Sequence, residues 1–181
     1  MKREFLACTV IATLGCSLAA CATDPVDGEE PEDTSTIASQ TLVPGSQSTF
    51  KNVNSGRCMG VSGGSGASGA LIQQFTCDGR INQKWVVLPE SFIPNFRRIQ
   101  DAGSHLCLGV SGNSTAAAAN IVQLACDGRT TEQWQPINGP DFSFKNADGM
   151  CIGVDGASQL NGAQLKQFPC DGRVNQRWNV Q

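Results

Sequence analysis

The chain has 181 residues and a net charge of −3, with 9 cysteines and a single histidine. That length allows one modest domain with extensions, and the slight acidity excludes the basic footprint of a nucleic-acid binder. With one histidine and no Cys-x-x-Cys pair, a cysteine-based zinc site lacks its usual ligand spacing, so no metal or other cofactor is expected.

Residues 1–20 read as an export signal. Lys2 and Arg3 make a basic start, and the apolar stretch from Phe5 to Ala20 is too short to span a bilayer comfortably. Leu18-Ala19-Ala20-Cys21 resembles the bacterial lipobox, in which the cysteine is acylated and becomes the mature N-terminus. The resemblance implies a cell-envelope lipoprotein held on a membrane through lipidated Cys21, with two or more acyl chains giving a stable anchor. Cys8 and Cys16 would leave with the signal. Ala22 lacks the Asp associated with inner-membrane retention in Gram-negative lipoproteins, which points to the outer membrane or cell surface. An ordinary signal peptide with a small-residue cleavage site is the alternative.

Residues 21–48 change character. Asp24, Asp27, Glu29, Glu30, Glu32 and Asp33 meet no base, and prolines with a Ser/Thr-rich run complete the segment. Low hydrophobicity and charge of one sign cannot support a core, so the segment is expected to be a disordered acidic tether.

The folded part is expected over residues 49–181, in three repeats of about 49–92, 93–138 and 139–181. Cys58–Trp85, Cys107–Trp134 and Cys151–Trp178 are three copies of one stretch. In each, the second Cys follows the first by 19 positions and the Trp follows 8 later, the mark of a repeat architecture. Each copy begins with a short strand leading into a polar turn. A strand at the first Cys follows, then a Gly/Ser/Ala-rich loop and a third strand (71–75, 121–124, 164–168). An Asp-Gly turn then leads to a fourth strand starting at the Trp. About four strands per copy predict an all-β fold whose repeats close on themselves and leave no open sheet edge. Six cysteines at equivalent positions (Cys58, Cys77, Cys107, Cys126, Cys151, Cys170) read as a disulfide framework. Identical spacing favours a bridge within each copy, worth about 3 kcal/mol for a loop of this size; pairing across copies is the alternative.

The recurrent Cys…Cys-x-Gly…Gln-x-Trp pattern, closed by Asn82-Gln83-Lys84-Trp85 and Asn175-Gln176-Arg177-Trp178, resembles the ricin-type β-trefoil lectin family. The resemblance covers about residues 46–181. The middle copy departs, with Glu132 where the Gln should stand. It implies twelve strands, a six-stranded barrel capped by three hairpins, pseudo-threefold symmetry and carbohydrate binding. Trp85, Trp134 and Trp178 read as core residues, their indole N–H groups requiring partners, and Gln83 and Gln176 as internally satisfied.

In the family the sugar is held by an Asp two after the first Cys, an aromatic two before the second Cys, and an Asn three before the Trp. The resemblance carries these roles to Phe75 and Asn82 in copy one and to Phe168 and Asn175 in copy three. Copy two has Leu124 and Thr131, neither platform nor amide, and is expected to be a dead site. The Asp position is Gly60, Gly109 and Gly153, so the charged acceptor is missing from every copy. Asp155, two residues further along in copy three, is a candidate replacement. Gln73 and Lys166, four before the second Cys, are secondary candidates, with solvated strand positions as the plain alternative. Asp78-Gly79-Arg80, Asp127-Gly128-Arg129 and Asp171-Gly172-Arg173 read as tight turns, with the Asp bonding its own backbone. The alternative makes that Asp a substitute acceptor.

Catalysis is not expected. His105 has no nucleophile motif around it, and the acids are spread by the repeat instead of facing one another across a cleft as a glycosidase requires. The expected partner is a polysaccharide or glycan. The rival reading is a trefoil that has lost sugar binding and makes contacts with a protein partner, as an inhibitor-like or structural lipoprotein.

Overall fold

The computed structural model describes residues 42–89, 91–139 and 141–181. The export signal and Cys21 lie outside the described residues. Thirteen strands follow in order: β1 (Gln47–Ser48), β2 (Phe50–Asn52), β3 (Cys58–Val61), β4 (Ile72–Phe75), β5 (Trp85–Val87), β6 (Ile99–Asp101), β7 (Cys107–Val110), β8 (Ile121–Leu124), β9 (Trp134–Ile137), β10 (Ser143–Asn146), β11 (Met150–Val154), β12 (Leu165–Pro169) and β13 (Trp178–Val180). Four strands fall in each copy, and β1 precedes them. Leu42 packs against the core and the Gly45 N–H donates to Val87 O, so the expected tether and the folded unit overlap over residues 42–48.

The pairing explains the closure. The last strand of each copy pairs antiparallel with the first strand of the next: β5 with β6, β9 with β10, and β13 with β2. The ring is completed by β1, just ahead of copy one, with β5 (Ser48↔Trp85), and within copies two and three by Arg97↔Trp134 and Phe142↔Trp178. A six-stranded barrel results, and no barrel strand presents a free edge. The second and third strands of each copy form the hairpins β3–β4, β7–β8 and β11–β12. These three meet through the bridges Leu71↔Val122, Gln73↔Gln164 and Asn120↔Lys166. The architecture is a β-trefoil.

The core sits on the pseudo-threefold axis. Trp85, Trp134 and Trp178 are completely buried. Their indole N–H groups donate to Met59 O, Leu108 O and Ile152 O, the residue after the first Cys in each copy. Each indole therefore fills the barrel without leaving a buried donor unmet. Phe50, Phe142 and Phe144 add an edge-to-face cluster, with Phe144 centred 4.8 Å from each of the other two rings.

The disulfides are Cys58–Cys77, Cys107–Cys126 and Cys151–Cys170, one within each copy. Local bridging tethers each hairpin to the turn that follows it. A second set of braces runs between copies and had no assigned role in the sequence. Buried Gln74, Gln123 and Gln167, three residues before the second Cys, each reach into a neighbouring copy. Gln74 Nε2 donates to Ser158 O and Leu160 O, Gln123 Nε2 to Ser65 O and Ala67 O, and Gln167 Nε2 to Ser114 O and Ala116 O. Their Oε1 atoms accept from Ser55 Oγ, Ser104 Oγ and Asn146 Nδ2. One amide thus holds the Gly/Ser/Ala-rich loop of the adjacent copy to a turn of its own copy, which gives that loop a fixed shape.

Candidate glycan-binding clefts

Two equivalent clefts open on the surface, one in copy one and one in copy three. The first, about 470 Å³, is lined by Gly64, Phe75, Thr76, Asp78, Arg80 and Asn82, among others. The second, about 460 Å³, is lined by Gly156, Phe168, Asp171, Arg173 and Asn175 with their neighbours. Each contains one aromatic ring, one carboxamide and one Asp-Gly-Arg turn.

Strand alternation places the rings. In β4 the buried Ile72 and Gln74 alternate with half-buried Gln73 and Phe75, so Phe75 lies on the outer face of the hairpin. Cys58 pairs with Phe75 and Gly60 with Gln73 across the β3–β4 ladder. In copy three, Phe168 is opposite Cys151 and Lys166 is opposite Gly153. The ring packs close to the glycine. A β-carbon on Gly60 would lie 3.2 Å from Phe75 Cδ2 and 3.0 Å from both Asn82 O and Gln83 Cγ. On Gly153 it would lie 3.0 Å from Gln176 Cγ and 3.2 Å from Phe168 Cδ2. A side chain at either glycine would require these neighbours to give by a few tenths of an ångström.

The amides are oriented by the short turn before each Trp. Asn82 Nδ2 donates to Val61 O at 2.8 Å and Asn175 Nδ2 to Val154 O at 2.9 Å. One N–H of each Nδ2 is thereby committed to the backbone, while Oδ1 makes no hydrogen bond among the described residues. It remains as an acceptor. Gln83 and Gln176 are internally satisfied, with Nε2 donating to Thr76 O and Pro169 O and Oε1 accepting from the backbone N–H of Asp78 and Asp171.

The Asp-Gly-Arg tripeptides form tight turns. Asp78 Oδ1 accepts from the Arg80 backbone N–H, and Gly79 adopts φ +75°. The other carboxylate oxygen takes the Arg80 guanidinium, with Nε–Oδ2 3.0 Å. Asp171 and Arg173 repeat this at 2.9 Å, and Asp127 and Arg129 at 2.6 Å. Each Asp oxygen takes one donor within the turn, and the Arg guanidinium adds donors at its rim.

The remaining candidates lie elsewhere. Gln73 Nε2 donates to Gly162 O, in copy three, where the hairpins meet. Asp155 and Lys166 pair with each other at 2.7 Å. Neither member of that pair, nor Gln73, lines the two clefts.

Copy two is built differently. Leu124 stands where the rings do, and Thr131 is buried, its Oγ1 donating to Asn113 Oδ1 at 3.0 Å. Glu132 replaces the satisfied Gln and is fully buried. Its Oε2 accepts from the Gly128 N–H, while Oε1 has no partner among the described residues. Burial raises the Glu132 carboxyl above the ordinary carboxylate value and Asp127 adds to the rise, against the Gly128 N–H and the Arg129 charge. The loop between copies one and two packs here: Ser91 Oγ donates to Gln133 Oε1, and a β-carbon on Gly128 would lie 3.3 Å from the Phe92 ring.

Strand pairing and repeat together define a β-trefoil. The description "Ricin-type beta-trefoil lectin domain-like" matches residues 37–123, and "Ricin-type beta-trefoil lectin domain" matches residues 95–181. The chain thus carries ricin-type β-trefoil lectin signatures across residues 37–181. No curated protein matches it. Among solved structures it is similar to the designed threefold-symmetric protein ThreeFoil, at 24% identity over 74% of this chain and 96% of that one, TM-score 0.70. It is similar to an exo-β-1,3-galactanase from Clostridium thermocellum, at 23% identity, TM-score 0.71, covering 77% of this chain but 31% of that enzyme. It is also similar to the ricin B-like lectin of Macrolepiota procera, whose structure is a complex with lactose, at 18% identity over 77% and 97%, TM-score 0.66. At these identities the likeness is one of fold.

Proposed function

We propose that the protein is a non-catalytic carbohydrate-binding module that holds glycan in two clefts, those of copies one and three. The observation that carries this reading is the repetition of one set of groups in both: a half-buried ring, an amide with a free Oδ1, and guanidinium donors on an Asp-Gly-Arg turn. A ring stacks on the C–H face of a sugar while convergent polar groups fix its hydroxyls. The lactose complex of the Macrolepiota procera lectin supports the same use of the fold. Oligosaccharide titration of the full-length protein tests it. Phe75→Ala with Asn82→Ala should remove one class of sites, and Phe168→Ala with Asn175→Ala the other. Binding that survives all four substitutions contradicts it.

A second reading, a trefoil for protein contacts that has lost sugar binding, is favoured by glycine at positions 60, 109 and 153, where the family's acidic acceptor stands, and by the tight packing around Gly60 and Gly153. A pull-down that recovers a specific protein partner, with no saccharide bound, would support it.

The module is further proposed to be exported and lipid-anchored through Cys21, on the strength of the Leu18–Cys21 motif and the acidic tether that follows. Labelled palmitate should enter the protein and fail to enter Cys21→Ser.

A further inference from the structure

The two clefts each carry one Asp and one Arg, but they differ in the charge beside them. Arg57 stands one residue before the first Cys of copy one, where copies two and three have Leu106 and Met150. Its Nε donates to Gln159 O at 2.7 Å, and its Nη1 to Thr76 Oγ1 at 3.0 Å and Asn161 Oδ1 at 3.5 Å. Thr76 and Asn161 both line the copy-one cleft. Arg57 makes no ion pair among the described residues, and its Nη2 makes no hydrogen bond among them. On the same cleft, Arg80 is tied to Asp78 through Nε alone and is 77% exposed, so its terminal nitrogens face solvent. Among the described residues, Asp78 is the only carboxylate lining that cleft. Arg57 does not itself line that cleft, but its bonds to Thr76 and Asn161 hold a second guanidinium against the cleft wall, beside the Arg80–Asp78 pair. In copy three, Arg173 and Asp171 balance, and Lys166 is already neutralised by Asp155.

We propose that the copy-one cleft receives a saccharide unit bearing an acidic group, a carboxylate or a sulfate ester, held by Arg57 and Arg80, while the copy-three cleft receives a neutral unit. The inference rests on the carbohydrate-binding reading and adds the ligand's charge to it. Guanidinium donors fixed by other contacts meet a planar carboxylate or a sulfate with little further ordering, and charge-assisted hydrogen bonds are the stronger kind. A glycan of mixed acidic and neutral units would engage both clefts of one molecule.

The test is calorimetric titration of the full-length protein with three oligosaccharides matched in length: a galacto-oligosaccharide, an oligogalacturonate and a sulfated galacto-oligosaccharide. Copy one should take one of the acidic probes about tenfold more tightly than the neutral one at low salt, and the preference should fade by about 0.5 M salt. Whichever acidic probe wins identifies the group. Arg80→Gln and Arg57→Gln should each abolish the preference, Arg57→Lys should keep much of it, and Arg173→Gln should leave it intact. Equal binding of neutral and acidic probes, unchanged in Arg80→Gln, overturns the inference and leaves the carbohydrate-binding reading standing. No binding of any probe overturns both.

Discussion

The ring of Phe75 occupies the ground in front of Gly60, so that a β-carbon on Gly60 would approach Phe75 Cδ2 to 3.2 Å and the Asn82 carbonyl oxygen to 3.0 Å. Glycine at this position therefore relieves a tight contact as well as removing an acceptor. Gly60→Asp should not restore a sugar-binding acid. It should destabilise the domain by about 1–3 kcal/mol, the usual range for overfilling a packed site, and weaken any ligand held by Phe75. Thermal denaturation and titration of the one variant read both effects. A stable Gly60→Asp protein with higher affinity would contradict this packing argument.

Glu132 places a titratable carboxyl where the sister repeats carry Gln83 and Gln176. Its folded-state pKa is raised, chiefly by burial, so the folded protein holds that proton more tightly than the unfolded chain. The contribution is fully present below the ordinary carboxylate range and is lost as pH rises through the raised value. Glu132→Gln removes the loss and restores the amide found at Gln83 and Gln176. At neutral pH it should be more stable than the parent by about 1–2 kcal/mol, with the gain shrinking as the pH falls into the carboxylate range. Chemical denaturation at a series of pH values checks this; a gain independent of pH would count against it.

Gln123 holds two carbonyls of the copy-one loop and accepts from Ser104 Oγ. Gln123→Leu keeps similar bulk and strands all three partners, so a loss of about 2 kcal/mol or more is expected. Because the braced loop, residues 62–69, borders the copy-one cleft through Gly63 and Gly64, binding there should weaken more than in copy three. Equal losses in both clefts would show that the brace acts on global stability alone.

Each disulfide closes a loop of 19 residues' separation. Replacing Cys107 and Cys126 by serine should cost about 3 kcal/mol through the greater freedom of the unfolded chain. Since neither cysteine lines the two proposed clefts, affinity measured below the lowered melting temperature should be unchanged.

Much of the fold was legible because the repeat is written in residues with one physical role. A Trp 8 positions after a Cys, three times over, marks an indole meeting its equivalents in a shared core, and equal Cys spacing marks bridges within the copies. The turn chemistry of Asp-Gly-Arg was equally local and equally readable. What escaped were relationships between copies. Gln74 recurs as Gln123 and Gln167, yet its partners are backbone carbonyls of another repeat, and carbonyls leave no mark in a sequence. The pairing of Asp155 with Lys166 joins two residues that read separately as sugar contacts. The short β1 escaped because Gln47–Ser48 carries no alternation, and only the passing β5 makes it a strand. The tight packing at Gly60 depends on where a ring falls across a ladder, which spacing alone does not reveal.

The most direct test of the central claim is an amide NMR titration of the full-length protein with galactose-, xylose- and mannose-based oligosaccharides, neutral and acidic. The account predicts shifts gathered around Phe75 and Asn82 and around Phe168 and Asn175, with Leu124 and Thr131 of copy two unmoved. Shifts centred on copy two, or none with any saccharide at about millimolar concentration where weak lectin sites still bind, would contradict it.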